Sequence, residues 1–312
     1  MIKVCFLSHH FESPETFLNS ILKMTPGRKG VWKNIEAVTN PKDADYYAIF
    51  DGYNHELLEQ EKKAIYFCQH PYTPYSPKHK TWSDKKALLK FPLKHYLNPG
   101  EWWIEKDYDE LINMECPIKR KLLICVMTYQ THHSMYSERH KFMERFITNH
   151  PKLFVDLYGR PKDKFESNEI LKEKYRGVLG IENYNPLKGE HIVGKNVIGD
   201  YVYSIEIDVG PCENYFSERF YDSLLMWTLP FYWGCTNVHK YIPSNAFRYF
   251  DIYKNGEDIF KEIGEDYKIP DFDTIKKARD LLLNKYQTWS YVHDIVNNID
   301  KYKEQQKLLG IV

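Results

Sequence analysis

Between Tyr201 and Gly234 the chain reads as strand, loop, helix, strand, and this one unit constrains the fold more than any other feature. "YVYSIEID" alternates partly, as a strand does. "SERFYDSLLMWT" places Phe220, Leu224 and Trp227 at the i, i+4, i+7 spacing of a buried helix face, with Ser217 as its cap. "LPFYWG" then returns as a second strand. A strand, a helix and a strand in succession imply a parallel sheet. Glu218 and Arg219 therefore fall in the first helical turn, at the carboxyl edge of the preceding strand, where open α/β sheets bind ligands. Glu218 there offsets the helix dipole, whereas Arg219 works against it. An anionic ligand at this edge reconciles the two; the plainer alternative is a solvated charge pair.

The alternation extends along most of the chain. "IKVCFLS" is a strand-length run, and "SPETFLNSILKMTPG" is a helix capped by Ser13, with Pro14 in its first turn and Pro26-Gly27 as its stop. "DADYYAIFDG" and "KAIYFCQHP" are further strand-length runs closed by turn residues. Residues 71 to 117 are irregular and rich in proline and aromatics, which suits an interdomain connection. A second series follows: "KRKLLICVMTY", a helix "SERHKFMERFITNH" striped by Phe142, Met143, Phe146 and Ile147, and "LFVDLYG". "YRGVLGIENYNPLKGEHIVGKNVIGD" reads as a loop or hairpin, "NGEDIFKEIGED" as a short helix, and residues 273 to 309 as one or two amphipathic helices. At 312 residues, two domains of ordinary size are expected. The expectation is an α/β protein of two Rossmann-like domains facing across a cleft, residues 1–117 and 118–312, the second carrying the closing helices.

Composition removes several function classes. Hydrophobic residues make up 43%, which excludes disorder. Basic and acidic residues number 43 each, so bulk nucleic-acid binding lacks its usual basic surplus. No segment approaches the run of about eighteen apolar residues that spans a bilayer, and the mixed charges of the closing helices favour core packing, with peripheral membrane contact the minority alternative. "MIKVCFLSHH" has no secretory pattern, and the six cysteines show no CxxC pair. Buried free thiols at Cys5, Cys68 and Cys125 and a cytoplasmic setting are expected. His9-His10 and His132-His133 are adjacent pairs without a third ligand at useful spacing, so no metal site is expected. "GVLGIENYNPLKG" lacks both the dinucleotide and the P-loop glycine spacings.

Tyr215, Ser217, Glu218 and Arg219, followed without a gap by Asp222, Thr228, Pro230, Tyr232, Trp233 and Gly234, resemble the signature region of the α-1,3-fucosyltransferases of glycosyltransferase family 10. Val238, Lys240 and Phe247 continue the similarity. Upstream, "LLICVMT", Arg139 within "SERHKF", and "VDLYG" follow the family's order, so the resemblance covers most of residues 120 to 250. It implies a GT-B fold and an inverting transfer of L-fucose from GDP-fucose to a hydroxyl of an acceptor glycan, with no further cofactor. The residues matching the family's donor site are Arg139, Tyr215, Glu218 and Arg219. Arg139, expected in a first helical turn, would meet the diphosphate together with free backbone N–H groups. The family's Phe-Glu-Asn is Ile207, Asp208 and Val209 here, and its lysine is Arg219, which keeps the charge and changes the geometry.

The family's catalytic carboxylate follows a strand resembling "KAIYFCQHP", where this chain has Gln69 and His70. An unperturbed imidazole titrates near pH 6.5, so His70 is a candidate base, with His9, His10 and Asp51 as alternatives at strand ends of the same half. Two other functions stay open at this point: the same fold with another donor such as GDP-mannose, and a nucleotide-sugar or glycan-binding module without catalysis.

Overall fold

The computed structural model describes residues 1–8, 10–51, 63–69, 87–129, 134–180, 192–254, 256–264 and 270–311. Two mostly parallel sheets organise them. In chain order the first holds β1 (Ile2–Ser8), β2 (Val31–Trp32), β3 (Ile35–Ala37), β4 (Tyr46–Phe50), β5 (Ala64–Phe67) and β6 (Leu89–Phe91), ordered laterally β2-β3-β1-β4-β5-β6. Only the β2–β3 pair is antiparallel. The second holds β7 (Lys121–Thr128), β8 (Val155–Arg160), β9 (Tyr175–Gly180), β10 (Ile192–Gly194), β11 (Tyr201–Cys212), β12 (Leu229–Cys235) and β13 (Arg248–Tyr249), ordered β10-β9-β8-β7-β11-β12-β13, and every pair in it is parallel. The expected α/β architecture of two parallel-sheet halves is what forms.

The helices are α1 (Pro14–Ile21), α2 (Tyr108–Ile112), α3 (Ser134–Asn149), α4 (Lys162–Glu166), α5 (Glu218–Leu225), α6 (Glu257–Gly264), α7 (Phe272–Leu281), α8 (Thr288–Asn297) and α9 (Ile299–Leu308). Ser13 caps α1 as expected and shares a capping box with Thr16. The predicted apolar stripe of α3 is buried at Phe142, Met143, Phe146 and Ile147, and that of α5 at Phe220 and Leu224. Trp227, expected on the same stripe, is buried beyond the end of α5 at a φ of +60°. Cys5, Cys68 and Cys125 are buried free thiols, and burial pushes the Cys5 thiol up to about 12.

Two expectations are corrected. The Gly- and Lys-rich stretch contains β9 and β10, which extend the second sheet in parallel and form no hairpin. The closing segment is three helices: α7 passes into a π turn over Leu282–Tyr286, and Gln287 turns extended, with φ −69° and ψ 155°. That break sends α8 and α9 onto the first sheet. The Trp289 ring lies 4.7 Å from Phe6, and its Nε1 donates to Ile21 O. Tyr302 packs edge-on to Phe91 at 5.4 Å. Gln306 covers the open edge of β6, accepting from Lys90 N at 3.1 Å and donating to Lys90 O at 2.7 Å.

The chain thus passes between the sheets twice, and the two passages bond to each other. Gly100 N donates to Tyr286 O, and Thr288 N donates to Gly100 O at 2.8 Å. Only glycine fits at position 100, because a Cβ there would stand 1.8 Å from Tyr221 Oη.

Candidate functional site

A cavity of about 470 Å³ opens where the two halves meet. Its second-half wall is built at the carboxyl ends of β7, β8 and β11, by Thr128, Arg160 and Asp208, and by the segment Tyr215–Arg219. Gln69 comes from the first half, and Asn98, Pro99, Glu101 and Trp103 come from the connecting segment. The volume lies within the range of small-molecule sites.

Each wall residue is held for a local reason. Ser217 caps α5, accepting from Arg219 N at 3.4 Å, so the helix begins at Glu218 with its free N–H groups at the cavity. Three asparagines fix the loop before it. Asn98 N donates to Asn214 O at 2.9 Å, and the Asn98 side chain exchanges bonds with the Phe216 backbone. Asn237 Oδ1 accepts from Asn214 N at 2.8 Å. Asn214 adopts φ +59°, a conformation asparagine tolerates better than most residues. Asp208 is buried and accepts from Tyr232 Oη at 2.5 Å. The glycine of the "YWG" strand end lies against it: a Cβ at Gly234 would stand 2.6 Å from Asp208 Oδ2.

Arg139 is corrected in position. Helix α3 starts at Ser134, so Arg139 lies past its first turn, and its 1% exposure removes it from any helix-end contact with solvent. Nε donates to Asp208 O at 3.3 Å, and the guanidinium carbon lies 4.5 Å from the centre of the Tyr136 ring, another cavity wall. Nη1 and Nη2 are buried with no hydrogen-bond partner among the described residues. Burial and the neighbouring Arg219 cation together lower Arg139 to about 10. Burial also works against the Arg219 cation, but Glu218 and Asp208 outweigh it and raise its pKa. Burial opposes the Glu218 carboxylate in turn, and Arg219 and Lys195 overcome it, holding the group below the usual range. Burial raises Asp208, against the hydrogen bonds from Ser217 and Tyr232, and pushes Glu206, one pleat deeper, up to about 8. Tyr215 is buried and far above its usual value through the same cause.

No family model and no curated protein matches this chain. Among solved structures, an α1,3-fucosyltransferase is 15% identical, covers 92% of each chain and superposes with a TM-score of 0.44. Its complex with GDP-fucose is 16% identical over the same shares, at 0.41. S. aureus MnaA with UDP is 10% identical, covers 100% of this chain and 98% of that one, and reaches 0.50. At these identities the likeness concerns the fold alone. The fold is GT-B.

In this GT-B chain four of the five expected donor-side residues, Tyr215, Glu218, Arg219 and Asp208, line the cavity, and the fifth, Arg139, lies buried behind them, donating to Asp208 O. On the first-half side His10 and Asp51 come together, with His10 Nε2 3.6 Å from Asp51 Oδ2. Asp51 Oδ1 accepts from Gln69 N at 2.8 Å, which places the pair directly behind a cavity wall residue. His9, His70, His132 and His133 lie outside the described residues. Among the described residues no three His, Cys, Asp or Glu side chains form a metal-holding group, and no helix is long and apolar enough to cross a membrane. Asn98, Glu101 and Trp103 were missed from sequence as wall residues; the aromatic run "LNPGEWW" was the available signal.

Proposed function

We propose that the protein is an inverting glycosyltransferase that moves a sugar, L-fucose from GDP-fucose by resemblance, to a hydroxyl of an acceptor glycan. One observation carries the proposal: Arg139 is buried with two guanidinium nitrogens that meet no partner among the described residues, beside a second cation, Arg219, at the start of α5. Glu218 and Asp208 offset the Arg219 charge, but the end of the Arg139 fork meets no acceptor among the described residues. A buried cation left so is costly unless a further anion joins it. A diphosphate supplies that charge and accepts from both guanidinium forks and from helix N–H groups. As the glycosidic bond to the diphosphate breaks, negative charge grows on the leaving oxygens, and the arginines stabilise it where it develops. Glu218 offers acceptor oxygens for ribose or sugar hydroxyls. His10, oriented by Asp51, takes the proton of the attacking hydroxyl.

Losing one charge-assisted bond costs about 1.5–3 kcal/mol, so Arg139→Ala and Arg219→Ala are each expected to weaken GDP binding about tenfold or more in calorimetry. Unchanged GDP affinity in both folded variants would remove the donor from this edge. Release of GDP on adding a glycan acceptor separates a transferase from a binding module.

With two guanidinium groups available for the leaving diphosphate, turnover is expected to persist in excess EDTA. Turnover abolished by the chelator and restored by manganese would reassign the leaving-group chemistry to a cation.

A further inference from the structure

Trp103 is the most exposed large aromatic side chain of the cavity wall, at 38%, yet three contacts hold it still. Its backbone N donates to Asp222 Oδ1 at 2.7 Å, which ties it to α5. Its Nε1 donates to Glu101 Oε1 at 3.3 Å, and Glu101 also lines the cavity. Lys195 Nζ, on a residue only 7% exposed, lies 5.1 Å from the centre of the ring. The buried ammonium covers one face of the indole, so the surface left to the cavity is the other face. A fixed aromatic face with a carboxylate at its N–H edge is a platform for a flat ring whose own edge carries donors.

Resting on the nucleotide-sugar reading above, we propose that Trp103 and Glu101 form the base subsite, with the indole stacking the base and the carboxylate selecting guanine by its N–H edge. Guanine sets N1–H and the N2 amino group side by side, two donors against one acceptor-only group. A carboxylate has about four acceptor positions, enough to receive further donors beside those it already meets. Adenine presents one amino group beside an acceptor nitrogen, and uracil one N–H between two carbonyls, so each sets a lone pair against the negative charge. Lys195 favours a heterocycle over a pyranose on this platform. A cation beneath the ring draws its π density down and leaves less for the weakly positive C–H groups of a sugar.

The test measures binding of GDP, IDP, ADP and UDP by calorimetry to the wild-type protein, Trp103→Ala, Trp103→Phe and Glu101→Gln. Base–aromatic stacking is typically worth 1–3 kcal/mol per base, so Trp103→Ala should weaken GDP about tenfold and Trp103→Phe much less. Glu101→Gln should erase the preference for GDP over ADP, weakening GDP while relieving the repulsion that disfavours ADP. IDP, which keeps N1–H and lacks the amino group, should fall between GDP and ADP on the wild-type protein. If GDP binds all folded variants equally while Arg139→Ala weakens it, the base lies elsewhere and the donor site stands. Unchanged GDP affinity in Trp103→Ala with weakened binding of the nucleotide sugar would make the platform a sugar subsite and overturn the base assignment. A wild-type protein that binds none of the four nucleotides would overturn both proposals.

Discussion

His10→Gln and Asp51→Asn are each expected to lower turnover by about 10²–10⁴-fold, the usual contribution of a positioned general base, with GDP affinity unchanged. The Asp51 side chain is fully buried and that of His10 is 45% exposed, so a sheltered carboxylate holds an accessible imidazole. That is the relation of orienter to base that such catalysis requires. Asp51 reaches it from a φ of +55°, which a non-glycine residue adopts at a cost, while Gln69 N fixes its other oxygen at 2.8 Å. Asp51→Asn keeps an oxygen for Gln69 and loses the charge, so it separates orientation from folding. The measurement is single-turnover release of GDP, with His70→Gln in the same series. Normal turnover in the His10 and Asp51 variants, with loss in His70→Gln, would move the base to His70.

Much of this fold was legible because parallel α/β units repeat a strong pattern. Apolar runs bounded by turn residues located β1, β4, β5, β7, β8, β11 and β12, helical stripes located α3 and α5, and cap and stop residues located α1. The misses have physical causes. β9 and β10 carry glycines and charges within "YRGVLG" and "HIVGK", so their composition resembles a loop, and only pairing, of β9 with β8 and of β10 with β9, makes them strands. The turn at Gln287 carries neither proline nor glycine. Gln287 caps α8 locally, its Oε1 accepting from Trp289 N, and tertiary contacts set the turn: its Nε2 donates to Met24 O at 3.4 Å and Gly100 meets the chain on either side.

The site divides along the same line. Glu218 and Arg219 could be placed from Ser217 and the helix period alone, because capping is local. Arg139 could be named by resemblance, but its burial depends on Asp208, 69 residues away, and on Tyr136. The pairing of His10 with Asp51 needed β1 beside β4, with Ser8 opposite Phe50. Asn98, Glu101 and Trp103 became wall residues only when the connecting segment folded back on α5, a contact spanning 119 positions for Trp103 and Asp222.

Asp222→Ala is expected to destabilise the protein by about 3–5 kcal/mol, the range for breaking a buried ion pair from one side. Asp222 stood out in the sequence only as one letter of a signature, and its burial is complete at 0% exposure. Its Oδ2 accepts from Lys195 Nζ at 2.7 Å, and its Oδ1 accepts from Trp103 N at 2.7 Å and Ile104 N at 3.2 Å. One carboxylate therefore joins β10's exit, the connecting segment and α5. Removing it leaves a buried ammonium with its countercharge gone and two backbone N–H groups unmet, each a separate penalty. Chemical denaturation reads the loss as a lower midpoint at unchanged slope. The double variant Lys195→Met/Asp222→Ala should recover a large part of it, because deleting both partners avoids the orphaned charge. A single variant that loses less than about 1 kcal/mol, the scale of a surface pair, would show that water reaches Lys195 and that this carboxylate does not hold the connecting segment to α5.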